Sequence, residues 1–327
     1  MEQKRLKVAF MVYDSRSGST FLSKRLTEEA GGIIVTPEIG FDRLFSSSVG
    51  EVPDWKSLIQ KMYKGHEFIN LGIPQQELLM EFSSHAPVSI PQGIDIILRK
   101  WLEADQGLKD YAGWIVVKNG SHLKYIDKIA KIFNYKIPFL FLLRDPRAVI
   151  NSKYNAKRPY YPHENMVWSG LLLTALRWKI YYRKIKKAKK KGVPVLEIKY
   201  EDLVRRTDEV IDSAKSFLGI RCGEEEIKYH RTKKEYAIPE KEMGIHKLTS
   251  KSYGVEERIN SWRKELSSFR ARVVEAICFR ELKAEGYDLL YNDNFVVRLM
   301  LMMLALPDTF FSLTRHSFVL LNKKRPF

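Results

Sequence analysis

Cysteine is scarce in this chain: Cys222 and Cys278 are the only two. Two cysteines make neither a disulfide framework nor a metal-ligand cluster, and each reads as a small buried apolar side chain. Acidic residues are in deficit, 39 Asp and Glu against 56 Lys and Arg, which leaves a net charge of +17. An excess of that size points to an anionic companion: a nucleotide, a nucleic acid, an acidic glycan or lipid headgroups. Internal repeats and low-complexity linkers are missing. So is any RNA-recognition or helix-turn-helix signature, so nucleic acid is not an expected partner. No apolar run reaches the roughly 20 residues of a spanning helix. Only MEQKR precedes the first apolar run. That leaves no room for a signal peptide, and the cytoplasm is the expected compartment.

What is present begins at residues 6–24, LKVAFMVYDSRSGSTFLSK. Leu6 and Val8 to Val12 are nearly continuous apolar residues, the mark of a strand buried on both faces. Ser15-Arg16-Ser17-Gly18-Ser19-Thr20 follows, and Phe21, Leu22, Arg25 and Leu26 continue at helical spacing. A strand feeding a tight loop at a helix start makes an anion cradle, because free N–H groups and the helix dipole point into it. A Walker phosphate loop has this geometry but needs Gly, four residues, then Gly-Lys-Ser/Thr. With Gly18 as its second glycine, Tyr13 occupies the first glycine position and Ser19 the lysine. The missing lysine disfavours a magnesium nucleotide. An ordinary serine-capped turn is the bland alternative.

Strand patterns recur at 33–35, 114–117, 139–143 and 193–198. Helical patterns separate them, at 164–191, 208–218, 224–234 and 263–285 among others, and residues 237–260 read as a long, loop-like, basic segment. At 327 residues this alternation predicts an α/β fold of three layers, P-loop-like, with a mainly parallel central sheet flanked by helices. Pro53-Asp54, Pro74 and Pro91 each suit a helix start, so residues 41–112 read as a helical insertion over the strand C-terminal edge. Ser121 is a plausible cap for the helix through Phe133. Asp145 and Pro146 can cap and open the next. The basic run Arg183 to Lys191 closes a helix and reads as a solvated face rather than a binding patch. Residues 1–290 read as one domain, followed by an apolar and basic tail at 291–327. In that tail Phe295 to Leu306 is apolar, too short to span a bilayer and interrupted by Arg298. It is either a docked helix or a peripheral membrane contact.

Arg16-Ser17-Gly18-Ser19-Thr20 resembles the 5′-phosphosulfate loop of sulfotransferases that use 3′-phosphoadenylyl sulfate (PAPS). Leu143-Arg144-Asp145-Pro146, with Ser152 eight positions after Arg144, resembles the segment that grips the 3′-phosphate in that family. A guanidinium fork and a hydroxyl suit a phosphate dianion. Lys199-Tyr200-Glu201-Asp202-Leu203 is similar to the segment whose tyrosine approaches the adenine. Ser250 to Gly254, then Arg258 and Trp262-Arg263, resembles the late basic loop, although the Arg-Lys-Gly triplet of the cytosolic enzymes is absent.

The resemblance implies PAPS as cofactor, leaving as 3′,5′-adenosine bisphosphate, with no metal. It implies cofactor contacts from Ser15, Arg16, Ser17, Gly18, Ser19, Thr20, Arg144, Ser152, Tyr200, Ser250, Ser252 and Arg258. Lys118, at a strand end, matches the lysine placed beside the sulfuryl group, and Arg16 would neutralise the phosphosulfate. Glu38 matches the base in the loop of carbohydrate and tyrosine sulfotransferases. His122 is the second candidate, four residues after Lys118 where the cytosolic enzymes have two. Asp42 is a helper or only a loop residue. The acceptor implied is a hydroxyl or amine on a carbohydrate or glycan-like compound, lipid-linked forms included. Two other classes compete: a nucleotide or small-molecule kinase, and a basic membrane-peripheral binding protein.

Overall fold

The computed structural model describes residues 6–46, 54–64, 71–104, 108, 111–158, 161–220 and 256–322. These group into two compact units. One comprises the described residues within 1–13, 18–142 and 184–237; the other comprises those within 14–17, 143–183 and 238–327.

The first unit holds the sheet. Its strands are β1 (Lys7–Tyr13), β2 (Ile33–Glu38), β3 (Trp114–Lys118) and β4 (Phe139–Leu143), with β7 (Val195–Lys199) following the small hairpin of β5 (Lys157–Arg158) and β6 (Tyr161–Asn165) in the chain. The order across the sheet is β2-β3-β1-β4-β7. β3 and β4 pair parallel with β1, and β2 pairs parallel with β3. The apolar run that marked β1 accounts for its central place: Ala9 to Val12 are fully buried. Large apolar side chains buried in this way contribute about 1.5–3 kcal/mol each. Leu22 and Leu26 of the helix Ser19–Glu29 pack in the same core with Met11, Val116 and Leu140. The expected mainly parallel α/β sheet is therefore present.

β2 departs from expectation. It runs on through Pro37 to Glu38, with a register shift between Val35 and Glu38. Proline has no N–H for a ladder and is tolerated at bulges and sheet edges; β2 is an edge strand. Thr36 Oγ1 accepts the Lys118 N–H at 3.1 Å, which satisfies a donor the bulge would otherwise strand.

The insertion is helical where its prolines predict: Trp55–Met62 capped by Asp54, Gln75–His85 after Pro74, and Ile90–Ala104 with Pro91 in its first turn. Ser121 is not the cap expected. Asn119 Oδ1 accepts the Ser121 N–H at 2.8 Å and opens a 3-10 turn, Gly120–Tyr125, before the helix Ile126–Ile132. The lysines at 186 and 189 pair with Glu197, and Lys191 pairs with Asp127 at 2.7 Å, so much of that basic run is engaged locally.

In the second unit Asp145 caps the helix Pro146–Tyr154, as expected. Arg147 is buried and joined to Asp145 (2.8 Å) and Glu275 (2.9 Å), with its guanidinium 4.1 Å above the Trp262 ring. Glu275 also accepts the N–H groups of Leu290, Tyr291 and Asn292, tying the chain beyond the helix Ser268–Ala284 to that helix. Three expectations change here. Residues 161–165 are strand, and the long helix begins at Gly170. The helix expected at 263–285 is broken: Trp262–Glu265 ends at Leu266, and Ser267 caps a new one. Residues 257–260 are helical, not loop. The apolar tail is longer than its first run suggested. Phe295–Leu304 and Leu306–Asn322 are consecutive helices. The expected helix at 224–234 and residues 237–255 of the loop expected at 237–260 lie outside the described residues, as does Cys222. Cys278 is buried as expected.

Candidate active site

In the first unit the functional side chains stand at the C-terminal ends of neighbouring parallel strands, the edge where such sheets bind ligands. Tyr13 ends β1, Glu38 ends β2 and Lys118 ends β3. The Tyr13 hydroxyl donates to Glu38 Oε1 at 2.5 Å. Lys118 Nζ is 3.8 Å from the same oxygen. Lys118 is buried while the Glu38 side chain is 46% exposed. The carboxylate is thus held at one oxygen and open to an incoming group. Gly120 lets Tyr13 come close, because a Cβ there would meet the Tyr13 carbonyl oxygen at 2.7 Å.

Gly18 begins the helix Ser19–Glu29 at φ 96°, in the left-handed region. No side chain caps that helix start, and its first turn carries no acid. Its first N–H groups have no intrahelical acceptor, which suits an anion. Ser19 is buried and Thr20 half-buried. Tyr200 lies against the same glycine: a Cβ on Gly18 would sit 2.4 Å from Tyr200 Cδ2.

His122 is not at an open position. It is fully buried among Phe10, Phe41 and Phe45, and its Nε2 accepts the Phe41 N–H at 3.3 Å. Nδ1 therefore carries the proton, without a hydrogen-bond partner among the described residues. Burial pulls its pKa down to about 3. A neutral imidazole sealed in aromatic packing has no route to an acceptor proton. Asp42 accepts from Ser121 Oγ at 2.5 Å at the start of the short helix Asp42–Ser46, a local tie.

In the second unit the loop residues Asp14–Ser17 meet the start and the far end of the helix Pro146–Tyr154. Arg16 has φ 73°, and its Nε donates to Ser152 Oγ at 3.1 Å. Arg144 donates to the Arg16 carbonyl at 2.9 Å and to the Arg258 carbonyl at 2.7 Å. The Trp178 indole N–H donates to the Arg144 carbonyl at 3.2 Å. The loop arginine and the strand-end arginine with its serine thus form one cluster. Ser17 is buried and Ser15 half-buried. The Arg258 side chain is exposed, and its contribution in this structure is its carbonyl. Ser250 and Ser252 lie outside the described residues.

Sequence reasoning missed three participants. Tyr13 was considered only as a failed Walker glycine, although it is the last residue of β1, level with Glu38 and Lys118. Asp14 and Lys153 form a buried ion pair, Nζ to Oδ2 2.6 Å, beneath the loop. A lysine three residues after Ile150 and four after Val149, both buried, is itself a signal, because lysine is buried only with a partner. Burial lowers the Lys153 pKa to about 8; Asp14 opposes that shift, and the charges of Arg177 and Arg16 add to it.

The sequence profile of the Sulfotransferase family matches residues 10–224. This chain belongs to the sulfotransferase family. The match takes in the loop at 15–20, Glu38, Lys118, Arg144, Ser152 and Tyr200, and ends before Arg258 and the tail. Two solved sulfotransferase domains are similar in fold. One is the "Sulfotransferase Domain from the Curacin Biosynthetic Pathway", 15% identical, covering 88% of this chain and 100% of that one with a TM-score of 0.57. The other is the "Sulfotransferase Domain from the Synechococcus PCC 7002 Olefin Synthase", 16% identical, covering 88% and 98% with a TM-score of 0.53. No curated protein matches the chain. The three-layer, P-loop-like architecture is thus that of sulfotransferase domains.

Proposed function

We propose that this sulfotransferase uses PAPS and transfers its sulfuryl group to a hydroxyl, or an amine, of a carbohydrate or glycan-like acceptor. The observation that carries the reading is the Arg16–Ser152–Arg144 cluster. It joins the phosphosulfate-loop motif to the 3′-phosphate motif in one network, and a cofactor with two separated phosphate groups needs both. The residues present fit such a ligand: the first unit has an uncapped helix start and a glycine whose Cβ space is filled by Tyr200, and the second has Arg144 donating to the Arg16 carbonyl and Arg16 to Ser152.

Ser15, Arg16, Ser17 and the N–H groups of Gly18, Ser19 and Thr20 would hold the phosphosulfate. Arg144 and Ser152 would hold the 3′-phosphate, and Tyr200 would flank the adenine. When bound, PAPS supplies the sulfuryl group and departs as 3′,5′-adenosine bisphosphate. Glu38 acts as general base. Its carboxylate would take the proton of the acceptor hydroxyl. Tyr13 fixes Oε1, which leaves Oε2 to receive the proton. Lys118 in the first unit and Arg16 in the second would each supply positive charge to a phosphosulfate, without a metal. A fixed carboxylate at a strand end favours an alkyl hydroxyl, whose proton must be removed, over an acidic phenol; that supports a carbohydrate acceptor.

Thermal-shift titration tests the reading against a kinase. Stabilisation by 3′,5′-adenosine bisphosphate, weakened by Arg144→Ala, is expected. Stabilisation by ATP with magnesium and none by the bisphosphate would overturn it.

A further inference from the structure

The segment from Phe295 to Ser317 has the make-up of a membrane helix and the docking of a domain helix. It is 23 residues long; its most apolar 18-residue stretch has a mean hydropathy of 1.6 and is only 17% buried. The helical ladder continues through the junction at Ala305, from Ala305 N–H to the Leu301 carbonyl (3.2 Å) and from Thr309 N–H to the Ala305 carbonyl (3.3 Å). One stripe faces its own unit: Leu301, Ala305, Thr309 and His316 are buried. Polar contacts hold that stripe. Asp308 accepts the Leu171 N–H at 3.0 Å, and His316 Nδ1 lies 3.1 Å from the buried Glu164 carboxylate. The Arg298 guanidinium sits 3.9 Å over the Phe279 ring. Gly170 admits the helix closely, since a Cβ there would be 2.5 Å from Thr309 Cα.

The opposite face is bare. Of the 17 large hydrophobic side chains exposed among the described residues, 10 lie between Phe295 and Leu313. Phe295, Phe310 and Phe311 are each about 70% exposed, and Met300, Met303 and Leu304 more than half. Scattered single apolar residues need no explanation, but a continuous face of this kind marks an interaction surface. Charge decides its partner. Arg298, Arg315, Lys323, Lys324 and Arg325 are set against one acid, Asp308, from residue 295 to the last residue given. Asp308 is engaged by Leu171.

We infer that the outer face of residues 295–317 lies in the plane of a bilayer surface rich in anionic phospholipid. An apolar face flanked by basic residues is what an interfacial helix presents to acyl chains and headgroups. Crossing the bilayer would require the segment to release Leu171, Glu164 and Phe279 and to carry Arg298, Asp308 and Arg315 into hydrocarbon, which is costly. Lying along the surface keeps every one of those contacts. The surface is separate from the residues proposed for sulfuryl transfer, so its test stands apart from that reading.

The experiment is co-sedimentation of the full chain with extruded vesicles of phosphatidylcholine alone or with about 30 mol% phosphatidylglycerol, an anionic surface. Binding to the anionic vesicles is expected, at least about tenfold tighter than to the neutral ones, since each basic residue near the surface adds about fivefold. F310S/F311S, both exposed, should lose at least about tenfold with an unchanged far-ultraviolet spectrum. Release from the anionic vesicles by high salt or carbonate supports an in-plane helix; resistance to both overturns it in favour of insertion. Equal partition onto neutral and anionic vesicles, or no binding to either, overturns the inference. So does sedimentation equilibrium showing a dimer that F310S/F311S dissociates, which would assign the face to a second copy.

Discussion

Gly18→Ala isolates the physical demand that shapes the phosphate loop. Two costs combine. At φ 96° an L side chain is strained, by about 1–2 kcal/mol. Its Cβ would also stand 2.4 Å from Tyr200 Cδ2 and 2.6 Å from Cε2. Tyr200 is buried, so its ring has little room to withdraw, and overpacking of this kind costs about 1–3 kcal/mol. The sum is about 2–5 kcal/mol. Removing the ring separates the two. In a Tyr200→Ala background the steric part vanishes, and Gly18→Ala should cost only the backbone part, about 1–2 kcal/mol. The assay is urea unfolding of the four proteins of the cycle, followed by tryptophan fluorescence and far-ultraviolet circular dichroism. A coupling of about 1–3 kcal/mol is expected. Additive costs, within about 0.5 kcal/mol, would refute the reasoning, because residues in contact couple and distant ones add.

Glu38→Gln keeps the shape and hydrogen bonding of the side chain but removes its basicity. It should lower kcat about 10²–10⁴-fold while leaving the affinity for 3′,5′-adenosine bisphosphate within about twofold; near-normal turnover in a single-turnover assay would end its role as base. Lys153→Met leaves Asp14 charged and buried, so it should destabilise by about 3–5 kcal/mol, and the double variant with Asp14→Asn by less; denaturant midpoints decide, and equal losses would deny the pairing. His122 has a folded-state pKa of about 3 against 6.5 unfolded. The unfolded chain therefore binds the proton first as pH falls. The stability from His122 is fully present above pH 6.5 and is lost on the way down to about 3, by up to about 1.4 kcal/mol per pH unit. His122→Phe should flatten the fall in unfolding free energy between pH 7 and 5; an unchanged slope would place the acid sensitivity elsewhere.

The chain spells out its sheet clearly. Strands buried on both faces read as apolar runs, and β1, β3 and β4 were legible for that reason. Residues 161–165, YPHEN, carry no such run, and their pairing with β5 came from tertiary context. β2 looked shorter than it is, because Pro37 reads as a strand stop in sequence and becomes tolerable only at a sheet edge with a bulge. The residue types of the loop suggested an anion cradle, and resemblance to the family's segment suggested the pairing of Arg144 with Ser152. The contact that unites them, Arg16 to Ser152, is between residues 136 apart, a distance no local pattern encodes. His122 misled for the opposite reason: its position after Lys118 suggested chemistry, while its burial depends on Phe10, Phe41 and Phe45 arriving from other parts of the chain.

The bulge at Pro37 has an effect on the molecule's behaviour in company. β2 is the outermost strand of the sheet among the described residues, and an unbroken margin is a template on which another chain can add a strand. Proline there removes one donor, and the bulge bends the line of the rest, so the kink that ends with Glu38 also guards against self-association. Pro37→Val would straighten both at once. It would blunt turnover and raise the tendency to aggregate together, coupling the aim of the base to the solubility of the protein.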